Sequence, residues 1–374
     1  MDRSGEPPSL GALKVAVVYN TDFQTLEESQ NEDEPPSLEA NAEVAVTAQR
    51  IASILNACGC ETVAVQVQQS PAELSPILAE LKADAVFNLV ESLSNDATRE
   101  PEVPALLERL RIPYTGNGPN VLHLAQDKAK VKSLLEAHCI PVAPGWSISR
   151  MKDFPKAAEL KGQYPLFVKP ARADASIGID QNSVVYNRKQ LLNRVERLLD
   201  HIDGPVIVEA YLPGREFNVA LFPNPFTGAA VATEIDFSCY PDGYAPIVTY
   251  NCKWTPESPE YLARSRPAAD TTSPALLVDV QRTARAAFLA LGGNGYARVD
   301  IRLDSHGRPR VIDVNPNPDL DPEAGFAIAA RSVGIDYSEL VLLLTREASL
   351  KEGHVPAPYT TARPRSVSAF STPY

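Results

Sequence analysis

From Tyr296 to Asn315 the chain reads as two strands, YARVDIRL and RVIDVN, joined by Ser305-His306-Gly307-Arg308, which supplies the glycine of a tight turn. Alternate residues of a strand share a face, so Arg298, Asp300 and Arg302 stand on one side and Val299, Ile301 and Leu303 on the other. A two-residue loop at His306-Gly307 sets Asp300 opposite Asp313 and Arg298 opposite Asn315. Carboxylates facing across a ladder repel by a few tenths to about 1 kcal/mol, and by more on a buried face. A divalent cation between them reverses that sign. Mg²⁺ favours carboxylate and amide oxygens and keeps coordination places for phosphate, and Asn315 adds an oxygen on the face of Asp313. Arg298 beside them suits negative charge developing on a transferring phosphoryl group or a tetrahedral species. The same pattern also describes a solvated hairpin face with ordinary charges. The sequence that follows, VNPNPDLDP, favours chemistry, because its closely spaced prolines fix an irregular loop of the kind that carries functional groups.

The rest of the chain suggests layers of helix and sheet. Lys14 to Tyr19 (KVAVVY) reads as a buried strand, and Thr21 to Glu39, acidic and holding Pro35 and Pro36, as a long surface loop. Asn41 to Leu55 sets Val44, Ala48, Ile51 and Leu55 on one helical face, with Gly59 to end it. Strands follow at Thr62 to Val67 and Ala83 to Val90, so residues 1–120 are expected to form a Rossmann-like domain with a parallel sheet. Helical signals from Val121 to His138, strands at Pro165 to Lys169 and Ser183 to Tyr186, and a helix at Arg188 to His201 indicate a small α+β unit over residues 121–204. Residues 205–350 hold the strands VIVEAYL, EFNVALF and AAVATEI, the hairpin, and helical regions at Ala275 to Leu291 and Ala327 to Ala348. Residues 351–374, rich in Pro, Ser and Thr, read as an irregular tail.

Composition removes several functional classes. The formal net charge is −12 over 374 residues, which repels nucleic acid and anionic membrane, so any phosphate must be gripped by locally placed cations. The five cysteines have no metal-site spacing, with Cys58 and Cys60 separated only by Gly59. No apolar run approaches the roughly 18 residues of a membrane span, and the first residues lack a signal peptide's apolar stretch. The cytoplasm is the expected location. No G-x-G-x-x-G follows the first strand, which argues against a dinucleotide-dependent oxidoreductase.

Cationic candidates are placed where phosphate can reach them. Lys169 ends the apolar strand PLFVK at the rim of a sheet, and the following loop, PARADASIGI, offers backbone N–H groups near Ser176 and Gly178. Lys132 in QDKAKVKSLL and Lys253 in TYNCKW are further candidates, although each of these lysines also reads as an ordinary surface or snorkelling side chain. VIVEAYLPGREFNVALF places Glu209 at the end of one strand and Glu216 at the start of the next, around a link with unpaired backbone groups.

Taken together these segments resemble the ATP-grasp ligases, most closely the D-alanine–D-alanine ligase family, over roughly residues 80–345. RIPYTGNGPNVLHLAQDKAKVKSLLEAHCIPVAP, YPLFVKPARADASIGI, VIVEAYLPGREFNVAL and ARVDIRLDSHGRPRVIDVNPNPDLDP occur in the family's order. The resemblance implies an ATP-grasp fold behind the Rossmann-like domain. It assigns Lys132 and Lys169 to the α- and β-phosphates, Glu209, Ala210, Tyr211 and Leu212 to adenine, Glu216 to ribose and Lys253 to the γ-phosphate. Asp300, Asp313 and Asn315 would ligate two Mg²⁺ ions, with Mn²⁺ able to substitute. Arg298 would act on the acyl phosphate, with Lys253 and Ser176 beside it in the catalytic set. The implied reaction joins a small-molecule carboxylate to an amine through an acyl phosphate, in a homodimer.

The departures fall on the substrate side. The family's Gly-rich stretch after the first strand, with its substrate-binding glutamate, has no counterpart in NTDFQTLEESQNEDEPPSLEANAEV. Its His-Gly after the third strand is Glu91-Ser92, its oxyanion-hole glycine is Asp319, and its acceptor-binding serine and leucine are Ala324 and Gly325. Asp174 stands where the phosphate loop usually has glycine. Three readings follow: a ligase for other substrates, whose acidic residues favour an amine-rich acceptor; a divergent D-alanine–D-alanine ligase; or a nucleotide-binding regulatory module without ligase activity.

Overall fold

In a computed structural model of the chain, residues 13–21, 37–202, 204–223 and 230–350 are described. β1 (Lys14–Asn20) lies between β2 (Glu61–Val67) and β3 (Ala85–Asn88), parallel to both. Alternation decides which helix each face of β1 meets. Val15 and Val17 pack on Ala48, Ile51 and Leu55 of the helix Ser37–Ala57, while Ala16 and Val18 pack on Leu74, Leu78, Val103 and Leu107. The expected parallel sheet is present. Its first helix begins at Ser37, inside the stretch expected as loop; residues 22–36 of that loop and the tail 351–374 lie outside the described residues.

Two antiparallel sheets follow. The first has the order β4-β7-β5-β6, with β4 (Gly145–Ile148), β5 (Leu166–Pro170), β6 (Val184–Val185) and β7 (Val206–Ala210). Its Leu166, Val168, Val206 and Val208 are buried against Leu191, Val195 and Leu198 of the helix Arg188–His201. A division of the chain at residue 205 leaves β7 with the strands after it, whereas it pairs with β4 and β5. The strand expected at Ser183 to Tyr186 shrinks to two residues, because Asp180 caps a 3₁₀ turn over Gln181–Ser183.

The second antiparallel sheet has the order β10-β9-β8-β11-β12, with β8 (Glu216–Leu221), β9 (Ala230–Asp236), β10 (Arg264–Pro267), β11 (Ala297–Leu303) and β12 (Pro309–Asn315). Val299, Ile301 and Leu303 join Phe217, Val219 and Leu221 in a core with Val280, Ala284, Ala287 and Phe288 of the helix Pro274–Ala290. Each such side chain contributes about 1–3 kcal/mol by leaving water. The opposite face of β11 is therefore free to carry charge. Two helical regions are each broken in two. Val121 to His138 divides into Pro119–Ala125 and Lys128–Ala137, with Asp127 capping the second helix through Lys130 N. Ala327 to Ala348 divides into Gly325–Ser332 and Tyr337–Leu350 around Gly334, at φ +85°.

The hairpin reaches its expected pairing by a different route. Gly307, at φ +75°, donates its N–H to Asp304 O at 2.9 Å, closing a loop of Ser305, His306 and Gly307 rather than a two-residue one. That shifts the ladder by one, pairing Ile301 with Val311. A bulge at Ile312 shifts it back, so Asp300 faces Asp313 and Arg298 faces Asn315.

Asn117 joins the parallel-sheet region to this sheet. Only 2% exposed, it donates to Tyr296 O and Pro316 O, each at 2.7 Å, and accepts from Asn294 N at 3.1 Å and Gly295 N at 3.0 Å. A Cβ on Gly295 would sit 2.2 Å from Gly116 O, so the seam requires glycine there. Asn117→Ala orphans these buried backbone groups and is expected to cost about 3 kcal/mol or more in urea unfolding; a loss under about 1 kcal/mol would contradict this account.

Candidate active site

The polar face of β11 and β12 looks across a cleft of about 820 Å³ at the uncovered face of the four-stranded sheet. Lys128, Lys169, Ser176, Glu209, Ala210, Tyr211, Leu212, Glu216, Lys253, Arg298, Asp300, Asp313 and Asn315 all line it. All of the expected site residues but Lys132 are thus brought to one cavity.

At the floor, Arg298 holds Asp300 with two hydrogen bonds, Nε to Oδ1 at 2.8 Å and Nη2 to Oδ2 at 3.0 Å, and Asn218 of β8 donates to Oδ1 at 2.8 Å. Asp313 Oδ2 lies 3.7 Å from Lys128 Nζ, and its Oδ1 accepts from Val314 N at 3.1 Å. Burial works to raise the Asp313 pKa, but Lys128, Lys169 and Arg298 together hold it below the ordinary carboxylate value, so it is an anion at neutral pH. The bulge adds a further feature: Ile312 O accepts from Lys169 Nζ at 2.9 Å. One displaced residue thereby ties the lysine of β5 to the acidic strand.

Lys169 also meets Glu209 Oε1 at 3.0 Å, and Lys132 bonds the other oxygen of that carboxylate. Lys132 lines a small adjoining recess behind Glu209, not the main cleft. Lys128, one helical turn earlier, occupies the cleft instead and was missed by sequence reasoning. Asp127 carried the available signal, because a capping residue there marks a helix start and puts Lys128 at the rim. Lys128 Nζ is 2.6 Å from Asp174 Oδ1 and 3.0 Å from Ala173 O, so it grips the loop after β5. In that loop Ala175 and Ser176 take left-handed φ values of 52° and 62°. Such backbone forms anion-binding concavities and is uncommon outside glycine. Trp254 Nε1 donates to Ala175 O at 3.1 Å, bringing the short helix Tyr250–Trp254 and its Lys253 over the loop. Lys253 has its pKa lowered by burial and then by Arg298, with Asp300 and Asp313 opposing.

At the other end Glu216 is 5% exposed and pairs with Arg302 at 2.7 Å. Arg302 also donates to Leu212 O and Pro246 O, each at 2.6 Å, fixing the link between β7 and β8. Arg302 lies on the face of Asp300, yet sequence reasoning gave it no role.

A further wall is acidic. Glu91, Glu100, Asp319, Asp321 and Glu323 line the cleft beyond Arg298. Recessed surroundings and then Asp319 and Asp174 push Glu91 up to about 7. Burial is the chief cause raising Glu100 to about 8, against the hydrogen bond it accepts from Asn317 at 2.7 Å.

A family model described as "D-ala D-ala ligase C-terminus" matches residues 134–345. The chain belongs to the D-alanine–D-alanine ligase family. It is 30% identical to a D-alanine–D-alanine ligase of Marinomonas sp. over 81% of this chain and 90% of that one. It is 29% identical to an uncharacterised protein of Sinorhizobium fredii over 88% and 95%. The crystal structure of a Bacillus anthracis D-alanine–D-alanine ligase complexed with ATP superposes with a TM-score of 0.67 at 21% identity, covering 91% of this chain and 98% of that one. The fold is therefore ATP-grasp, and the chain is an ATP-grasp ligase by family. No helix among the described residues of this ligase is long and apolar enough to cross a membrane.

Glu209 makes the electrostatics testable. Burial raises its pKa, and Lys169 and Lys132 more than reverse that, leaving it below its ordinary 4.5. A depressed carboxylate stabilises the fold fully above its unfolded value, and that contribution is lost as pH falls through the folded one. Glu209→Gln should cost about 3 kcal/mol in urea unfolding at pH 7. The gap from wild type should narrow in acid below pH 4.5; a gap independent of pH would refute the pairing.

Proposed function

We propose that this ligase joins a carboxylate to an amine through an acyl phosphate, with ATP and Mg²⁺, and that D-alanine does not fill both substrate places. The observation that carries the reading is Asp300 facing Asp313 in a cleft that Lys128, Lys169, Lys253 and Arg298 also line. The donor set fits Mg²⁺: two carboxylates and the Asn315 amide are hard oxygen ligands on adjacent strands. Among the described residues no group of three or more His, Cys, Asp or Glu forms a metal cage. Phosphate oxygens and water would complete the coordination, for one ion or the two that the family pattern implies. When bound, Mg²⁺ supplies charge neutralisation along the phosphates and a template for in-line transfer.

The chain's own groups do the rest. Ala210, Tyr211 and Leu212 flank the adenine, and Glu216, held by Arg302, is set for the ribose hydroxyls. Lys128 and Lys169 hold the inner phosphates, with Lys132 acting behind Glu209 to keep that carboxylate charged. The loop around Ser176 cradles the phosphates with backbone N–H groups, and Lys253 closes on the terminal one. The substrate carboxylate attacks that phosphorus and displaces ADP. The amine then attacks the acyl carbon and expels phosphate, while Arg298 stabilises the developing negative charge.

The acidic wall supports a different acceptor. A free amino acid brings a carboxylate, whereas Asp319, Asp321 and Glu323 present like charge, with Glu91 and Glu100 as carboxyl groups beside them. An acceptor with extra amino groups is complementary, and the reading keeps the homodimer and the cytoplasmic setting. In a screen of carboxylates and amines for phosphate release, amine-rich acceptors should outpace D-alanine. Asp313→Ala should lower any hit more than about 100-fold. D-alanine alone giving the fastest release would favour a divergent D-alanine–D-alanine ligase. Nucleotide binding without turnover on any pair would favour a regulatory module.

A further inference from the structure

The loop after β5 carries a carboxylate where the family pattern has glycine, and it touches the cleft lysine. Asp174 Oδ1 lies 2.6 Å from Lys128 Nζ, and the same ammonium is 3.7 Å from Asp313 Oδ2. The two partners differ in their freedom. The Lys128 side chain is 13% exposed and anchored in the cleft, while that of Asp174 is 68% exposed and can swing into solvent at little cost. The loop is held by other contacts too: Lys128 N–H donates to Ala171 O at 2.9 Å, and Tyr250 N–H to Ile179 O at 2.9 Å. Releasing Asp174 therefore does not require the loop to come apart.

A phosphate oxygen seeking Lys128 meets an ammonium already paired to an anion of the chain itself. We infer that Asp174 is a positioning residue that acts through Lys128 as a resident competitor for nucleotide phosphate, weakening nucleotide binding until it is displaced. The inference rests on the ATP reading above and adds an internal control of affinity at that site. Removing the competitor should produce a gain, a direction that damage to the fold does not give.

The test is calorimetric titration with ADP in saturating Mg²⁺ at fixed ionic strength, on wild type, Asp174→Asn and Asp319→Asn. Asp319 also lines the cleft as an acid and measures the effect of cleft charge alone. Asp174→Asn should tighten ADP about threefold or more, the scale of a half-exposed ion pair. It should also lower KM for ATP in the same sense. Asp319→Asn should shift ADP affinity by less than half as much. Unchanged or weaker ADP binding by Asp174→Asn overturns the inference, as does an equal gain in Asp319→Asn. Absence of ADP binding by wild type overturns the ATP reading itself, and this inference with it.

Discussion

Two carboxylates forced to face each other are the constraint around which this molecule is arranged. Asp300 and Asp313 are opposed on neighbouring strands, and the chain surrounds them with cations: Arg298 on one, Lys128 near the other. Without those partners the facing anions would oppose pairing of the strands. The bulge at Ile312 is what makes the arrangement possible. It restores the register that the three-residue loop displaces, and its carbonyl receives Lys169 from the opposite sheet. One extra residue therefore sets both the acid pair and the lysine that bridges the cleft.

The proposed nucleotide side and the proposed acceptor side differ in how they treat charge. On the nucleotide side each acid has a named cation: Glu209 has Lys169 and Lys132, Glu216 has Arg302, and Asp300 has Arg298. On the proposed acceptor side, burial and then Asp319 raise the proton affinity of Glu91, and burial and then Asp321 raise that of Asp319. Most of this chain's departures from the family pattern fall on the acceptor side, and the proposed difference in substrate rests there.

Much of this was legible because the relevant elements are long and patterned. The alternation in β11 and β12 exposed the facing acids, and Val15 to Val18 announced a strand buried on both faces. What escaped was short or relational. β4 (GWSI) and β10 (RSRP) are four-residue edge strands, too short for the single Trp146–Ile148 alternation of β4 to mark it, and β10 has none. The bulge leaves no trace in residue type, so the expected register was right although the expected loop was not. Lys128 and Lys132 sit one turn apart on one helix, and spacing alone could not say which meets the cleft. That depends on where Asp127 starts the helix and on the depth at which Glu209 lies. Arg302 escaped because its importance is a partnership with Glu216 across strands.

The most direct measurement is anomalous scattering from Mn²⁺ in crystals grown with ADP. Manganese shares the hard-oxygen preference of Mg²⁺ and can be located by its own signal. The account predicts a Mn²⁺ peak between Asp300 and Asp313, within about 2.2 Å of carboxylate oxygens, with ADP phosphates completing its shell. A nucleotide bound in the cleft with those two aspartates still held only by Arg298 and Lys128, and the metal elsewhere, would contradict it.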